Sequence, residues 1–125
     1  MEGSLKKFLI VFLLLNVLGH GHGQHCDFAN NLVIGTEITG RDVQGKPEWN
    51  VQVVNNCTCA QSSIFLKCGD FKSLVAVDPS IFSKASGDQC IVNNGGPIPP
   101  NGVVKFSYVW DRPFILFPAA SKVFC

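Results

Sequence analysis

WNVQVVNNCTCAQSSIFLKC, residues 49–68, carries the pattern that decides the fold. Trp49, Val51 and Val53 alternate with Asn50 and Gln52, the two-residue period of a strand with one face buried. After a short turn, Ile64, Leu66 and Cys68 share one face and Phe65 and Lys67 the other. Cys57, Cys59 and Cys68, half of the six cysteines, lie on these two strands and their turn. The stretch reads as a hairpin that is cross-linked through its own cysteines.

Working outward, the same period recurs. Leu32, Ile34, Thr36 and Ile38 mark a strand over residues 32–39, followed by a turn-rich connector to Pro47. Downstream, residues 71–77 read as extended. Asp78 as N-cap and Pro79 at the first helical position predict a short helix that ends at Ser86-Gly87. A brief strand at residues 89–92 runs into the turn formers of residues 93–102. Val104, Phe106, Tyr108 and Trp110 then form one face of a long aromatic strand. A last strand is expected over residues 114–117. About seven short strands spaced by turns predict an all-β fold, a single disulfide-stapled antiparallel β-sandwich with one short helix. A small closed barrel is the alternative.

The N-terminus has a different character. Lys6 and Lys7 precede an apolar run from Phe8 and a small-residue exit at Gly21 and Gly23, the order of a secretory signal peptide over residues 1–23. The run is too short for a membrane span, which needs about 20 apolar residues. The expected mature domain, residues 24–125, loses two lysines and one glutamate, which takes the basic count from 10 to 8 and the acidic count from 9 to 8. A neutral domain with no basic stripe lacks the footprint of a nucleic-acid binder or a polybasic membrane patch.

Cys26, Cys57, Cys59, Cys68, Cys90 and Cys125 all fall within that domain. An even number in a small secreted chain predicts three disulfides. Cys57 and Cys59 are too close to bridge each other without strain and must be tied to different partners. Spacing favours Cys26 and Cys68 among those partners, with Cys90 to Cys125 as the remaining bridge. Cys57-Thr58-Cys59 has the wrong spacing for a zinc knuckle, so no metal and no other cofactor is expected.

The residues for catalysis are missing. His20, His22 and His25 lie at or before the expected mature N-terminus, which leaves no base for a serine or cysteine nucleophile. Glu37 and Glu48, the remaining glutamates, read as solvated strand residues rather than a glycosidase pair. Asn94-Gly95-Gly96-Pro97 opens no helix and reads as a turn rather than a phosphate cradle. Asn56-Cys57-Thr58 fits the N-glycosylation acceptor pattern. Trp49, Phe106, Tyr108 and Trp110 are core by default and a sugar-stacking platform otherwise. The apolar tail at Phe114 and Phe117, with the loop carrying Asn94 and Pro97, is the candidate partner-binding surface.

The chain resembles the plant TAPETUM DETERMINANT family of small secreted cysteine-rich proteins. Cys26, Trp49-Asn50-Val51-Gln52-Val53 leading to Asn56-Cys57, and Leu66-Lys67-Cys68 with Phe71 carry the first part of the likeness. Val77-Asp78-Pro79 with Phe82, Cys90-Ile91-Val92-Asn93 and Phe106-Ser107-Tyr108-Val109-Trp110 before Pro113-Phe114 carry the rest, up to Cys125. The resemblance implies a non-enzymatic apoplastic ligand, perceived by a leucine-rich-repeat receptor kinase and acting in cell-fate determination. The founding member has a wider gap where Cys57 and Cys59 here are separated only by Thr58. The likeness therefore speaks to fold and secretion more than to receptor identity. A cell-wall carbohydrate-binding module is the alternative reading.

Overall fold

Residues 49–68 cross from one sheet to another and do not form a hairpin. The computed structural model describes residues 26–125, so the expected signal peptide lies outside the described residues. A helical turn α1 (Phe28–Asn31) precedes strands β1 (Leu32–Val43), β2 (Lys46–Asn55), β3 (Ala60–Lys67), β4 (Phe82–Ser86), β5 (Gln89–Val92), β6 (Val103–Val109) and β7 (Phe117–Phe124). The strands form two antiparallel sheets, ordered β1-β2-β6 and β4-β5-β3-β7. β2 and β3, consecutive in sequence, belong to opposite sheets. Their apolar faces meet across the core, where Val51, Val53, Ile64 and Leu66 are each 0% exposed. The expected sandwich is present; the expected pairing of its central strands is not.

The connector before Pro47 is largely strand. β1 runs on to Val43, which pairs with Lys46, and Gln44 (φ 51°) and Gly45 (φ 82°) form the two-residue turn between them. Positive φ at both positions matches the right-handed strand twist, the reason such turns close tight hairpins. Beyond this hairpin, β2 pairs with β6 in unbroken register from Glu48↔Val109 to Val54↔Val103. The far edge of β6 is partly covered by residues 73 and 74. The Leu74 N–H donates to the Val109 carbonyl (2.8 Å), and the Val109 N–H donates to Ser73 Oγ (2.9 Å).

The helix expected from Asp78 is absent. Asp78 does organise a turn: its carbonyl accepts from the Ile81 and Phe82 N–H groups, and its carboxylate accepts from the Ser80 N–H and Oγ. Phe82 is then drawn into the core at 1% exposure and the chain enters β4. Ser86-Gly87, expected to end a helix, instead closes the β4–β5 hairpin, with Gly87 at φ 56°. Pairing with β5 and burial of Phe82 outweigh a cap worth about 1 kcal/mol. The short helix is α1, where Asp27 is the N-cap and accepts from the Asn30 N–H at 2.7 Å.

The last strand is also shifted. Phe114 and Leu116 turn inward, and pairing with β3 begins at Phe117 and runs to Phe124. Pro118 is tolerated because β7 is an edge strand.

Between the sheets, the Phe82 ring of β4 stacks on the Phe106 ring of β6 (centroids 4.3 Å apart, 12° between planes). Phe71 meets Phe82, Phe106 and Tyr108 edge-on and Phe114 at a tilt. This aromatic cluster joins the sheets where the loops alone would not. Such pairs contribute about 0.5–1.5 kcal/mol each beyond the area they bury.

Candidate docking surfaces and their disulfide frame

The three bridges are Cys26–Cys57, Cys59–Cys125 and Cys68–Cys90. Cys57 and Cys59 do have different partners, and Cys26 is one of them. The other expected links, to Cys68 and between Cys90 and Cys125, are replaced. Strand register explains the difference. Leu66↔Cys90 pairing brings Cys68 within reach of Cys90 on the neighbouring strand, and Ala60↔Phe124 pairing carries Cys125 to Cys59. Both ends of the described chain are thus tied to one three-residue stretch.

Behind that stretch lies a polar hub whose asparagine and glutamine sequence reading did not single out. Asn55, 0% exposed, donates through Nδ2 to the carbonyls of Cys59, Ile98 and Pro99 and accepts at Oδ1 from the Cys57 N–H and Gln61 Nε2. Gln61, also 0% exposed, reaches the Asn31 carbonyl and accepts from Ser121 Oγ. Buried amides are tolerated when every donor and acceptor is met. The hub joins α1, the crossover, residues 98–99 and β7 in one network.

The outer face of the β4-β5-β3-β7 sheet gathers most of the sequence-selected surface residues. With Leu66 and Cys90 directed inward, Phe65, Lys67 and Ile91 face outward. Cross-strand pairing sets Ile91 beside Phe65, Phe65 beside Ala120, and Lys67 beside Phe117. Phe117 is 49% exposed and neighbouring Ile115 is 83% exposed. At the other border, a Cβ built on Gly95 would lie 3.5 Å from Ile91 Cδ1, which locates the Asn93–Gly95 turn at the tip of that side chain. Asn94 and Pro97 are exposed there. Lys67 and Asp88 (3.7 Å apart) supply a charged rim. Phe114 does not join this face; its ring packs 5.6 Å from Tyr108, and its N–H donates to the Tyr108 hydroxyl at 2.8 Å. Ile115, between the two tail residues selected from the sequence, is more exposed than either.

The outer face of the β1-β2-β6 sheet is polar at its centre, with an apolar row of Val33, Val54 and Val103 at one end. Gly35, Gln52 and Lys105 form one cross-strand row, and Glu37, Asn50 and Ser107 the next. Two shallow depressions of about 220 and 260 Å³ share Asn50 and Gln52. Gly35, with open space where a Cβ would stand, deepens the first.

The aromatic strand residues give no flat stacking platform. Phe106 and Tyr108 are 7% and 1% exposed. Trp49 is half-buried, with its indole N–H donating to the Trp110 carbonyl at 3.1 Å. Trp110 is half-buried, with the Lys46 and Lys72 ammonium groups 5.1 and 5.5 Å from its ring centroid. Lys46 is itself held by Asp111. A sugar stacked on Trp110 would compete with these cations for the ring. Among the described residues, His, Cys, Asp and Glu form no metal-binding group. Glu48, one half of the only glutamate pair considered, is engaged by Thr39 Oγ1 (3.0 Å) and Arg41 (3.9 Å).

The profile described as Tapetum determinant 1, C-terminal, matches residues 28–125, nearly all of the described chain. The chain belongs to the tapetum determinant family. Among its relatives, TPD1 protein homolog 1B of Oryza sativa subsp. japonica is 37% identical over 65% of this chain and 47% of its own length. TPD1 protein homolog 1 of Arabidopsis thaliana is 32% identical over 82% of this chain and 58% of its own length. The chain therefore spans about half the length of these two tapetum determinant homologs. An uncharacterized Arabidopsis thaliana protein is 31% identical over 100% of this chain and 99% of its own length. No solved structure matches the chain. No helix among the described residues is long and apolar enough to cross a membrane.

Proposed function

We propose that this tapetum determinant family protein is a secreted, non-enzymatic signalling ligand in the plant apoplast, received by the ectodomain of a leucine-rich-repeat receptor kinase in cell-fate determination. The observation that carries the reading is the family match across residues 28–125. Three disulfides in a described domain of this size support an oxidising, extracellular setting.

The contact surface in this proposal is the outer face of the β4-β5-β3-β7 sheet. It has an aromatic and aliphatic centre at Phe65, Ile91, Ile115 and Phe117, a rim at Lys67 and Asp88, and Asn94 and Pro97 at its border. Protein interfaces share that plan, with apolar anchors enclosed by polar groups. The depressions of the opposite face are lined by polar side chains together with buried Val51 and Phe106, and they hold no exposed aromatic anchor.

The test is saturable binding of the secreted protein to purified receptor-kinase ectodomains. Phe117→Glu and Ile115→Glu are expected to weaken binding at least tenfold with the fold intact. Absence of ectodomain binding, with retention on wall polysaccharide, would reverse the reading in favour of a carbohydrate-binding module.

A further inference from the structure

Asn56-Cys57-Thr58 is the sole Asn-x-Ser/Thr stretch in the 125 residues. It lies in the crossover between β2 and β3, where two adjacent asparagines have opposite environments. Asn55 is sealed in the hub, and Asn56 is exposed. The Asn56 backbone is held on both sides: its N–H donates to the Asn31 carbonyl at 2.9 Å, and its carbonyl accepts from Asn31 Nδ2 at 3.2 Å. Its side-chain amide makes no hydrogen bond to any described residue. The fold thus presents this one amide outward on a fixed backbone.

We propose that Asn56 carries an N-linked glycan, attached before the crossover closes. The inference rests on the secretory reading above, because that route supplies the donor, a polyprenyl-diphosphate-linked oligosaccharide. In the transfer, the Asn56 amide nitrogen bonds to the anomeric carbon of the reducing-end sugar. The bond from that carbon to the diphosphate oxygen breaks, the amide loses one proton to a base, and the lipid diphosphate leaves.

The timing follows from what folding does to the same three residues. Cys57 is 3% exposed, its N–H is held by Asn55 Oδ1 at 3.1 Å, and the Cys59 N–H is held by Cys57 Sγ at 3.1 Å. A segment locked in this way cannot extend into a transferase. Cys26, the partner of Cys57, lies 31 residues upstream and is available as soon as Cys57 emerges. Cys125, the partner of Cys59, is 66 residues downstream and arrives late. Closure of Cys26–Cys57 therefore competes with glycan transfer, and the outcome of that race sets the occupancy. A glycan rooted here stands before Ala60, while Phe117 pairs with Lys67 at the other end of β3, about 20 Å away at strand rise. The proposed contact surface stays open at its Phe117 end.

The experiment expresses the full chain through the plant secretory route and reads intact mass, conversion of Asn56 to Asp by an amidase that releases N-glycans, and the thiol count. A glycan at Asn56 is expected on part of the protein, retained in Thr58→Ser and lost in Thr58→Ala. Thr58 is exposed, so neither variant disturbs the core. A mild reductant during synthesis is expected to raise occupancy at least twofold. An unmodified Asn56 in protein with all six cysteines bridged overturns the inference alone. An unmodified Asn56 with free thiols overturns it together with the secretory reading. Occupancy that does not respond to reductant overturns the competition with Cys57.

Discussion

Gln61 Nε2 donates to Asn55 Oδ1 at 2.8 Å, with both side chains closed off from solvent. This single contact joins the end of β2 to the start of β3, the two strands that carry the chain from one sheet to the other. Asn55→Ala removes it and strips the Cys59 carbonyl and the Cys57 N–H of the amide that now meets them, whereas the Ile98 and Pro99 carbonyls keep the Gln61 and Gly102 N–H groups. Each stranded buried group costs about 1–3 kcal/mol, so the variant is expected to lose about 3 kcal/mol or more. Gln61→Ala is expected to cost less, and the double variant less than the sum, because the two amides share one network. Urea unfolding with the disulfides intact measures all three.

The disulfides are expected to open in a fixed order. Cys68 and Cys90 are 1% and 0% exposed, whereas Cys125 is exposed at the chain end. Cys59–Cys125 closes the longest loop, 66 residues against 22 for Cys68–Cys90, and by chain entropy contributes about 4 against about 3 kcal/mol. Access to reductant, rather than that small difference, decides the order. Graded reduction followed by alkylation and mass mapping should find Cys59–Cys125 opened first and Cys68–Cys90 last.

Tyr108 predicts an alkaline limit. Burial raises its pKa above the ordinary 10.0, and the N–H of Phe114, donating to the hydroxyl, offsets this in part. The folded state holds the phenolic proton more tightly than the unfolded chain does. This contribution is complete below pH 10 and is lost as pH rises towards the folded-state value. Tyr108→Phe should cost about 1 kcal/mol at neutral pH, because the Phe114 N–H loses its acceptor. Above pH 10 the stability difference between wild type and variant is expected to shrink, as followed by chemical unfolding across pH.

Neighbours in the tail should separate stability from binding. Phe114→Ala removes a ring packed on Phe71 and Tyr108 and is expected to destabilise by about 3 kcal/mol. Ile115→Ala, at a side chain 83% exposed, should stay within about 0.5 kcal/mol of wild type. Thermal melts of the two variants give the comparison directly.

The faces of the strands were legible in the sequence because burial follows the two-residue period. Val51 and Val53 point inward, Asn50 and Gln52 outward, and Phe106 and Tyr108 inward, as alternation requires. Which strands pair was not legible. Short spacing between β2 and β3 suggested a hairpin, but each carries an apolar inner pair, Val51 with Val53 and Ile64 with Leu66, and a sandwich buries two such faces by setting them opposite each other. The partners of Cys68, Cys90 and Cys125 depend on that topology and were missed with it, whereas Cys26 as a partner of the Cys57/Cys59 pair was legible. Asp78 gave a true local signal that the packing of Phe82 overrode. The Asn55–Gln61 hub left little trace beyond polar residues beside a strand end. Phe114 and Ile115 could not be told apart because residues 114–117 are all apolar, so no polar neighbour marks which of them face outward.

The most direct measurement of the central claim sets the secreted protein against receptor-kinase ectodomains and wall polysaccharides in parallel, with Phe117→Glu as the surface variant. The account predicts saturable ectodomain binding that Phe117→Glu weakens at least tenfold, and no retention on polysaccharide. Polysaccharide retention without ectodomain binding would contradict it.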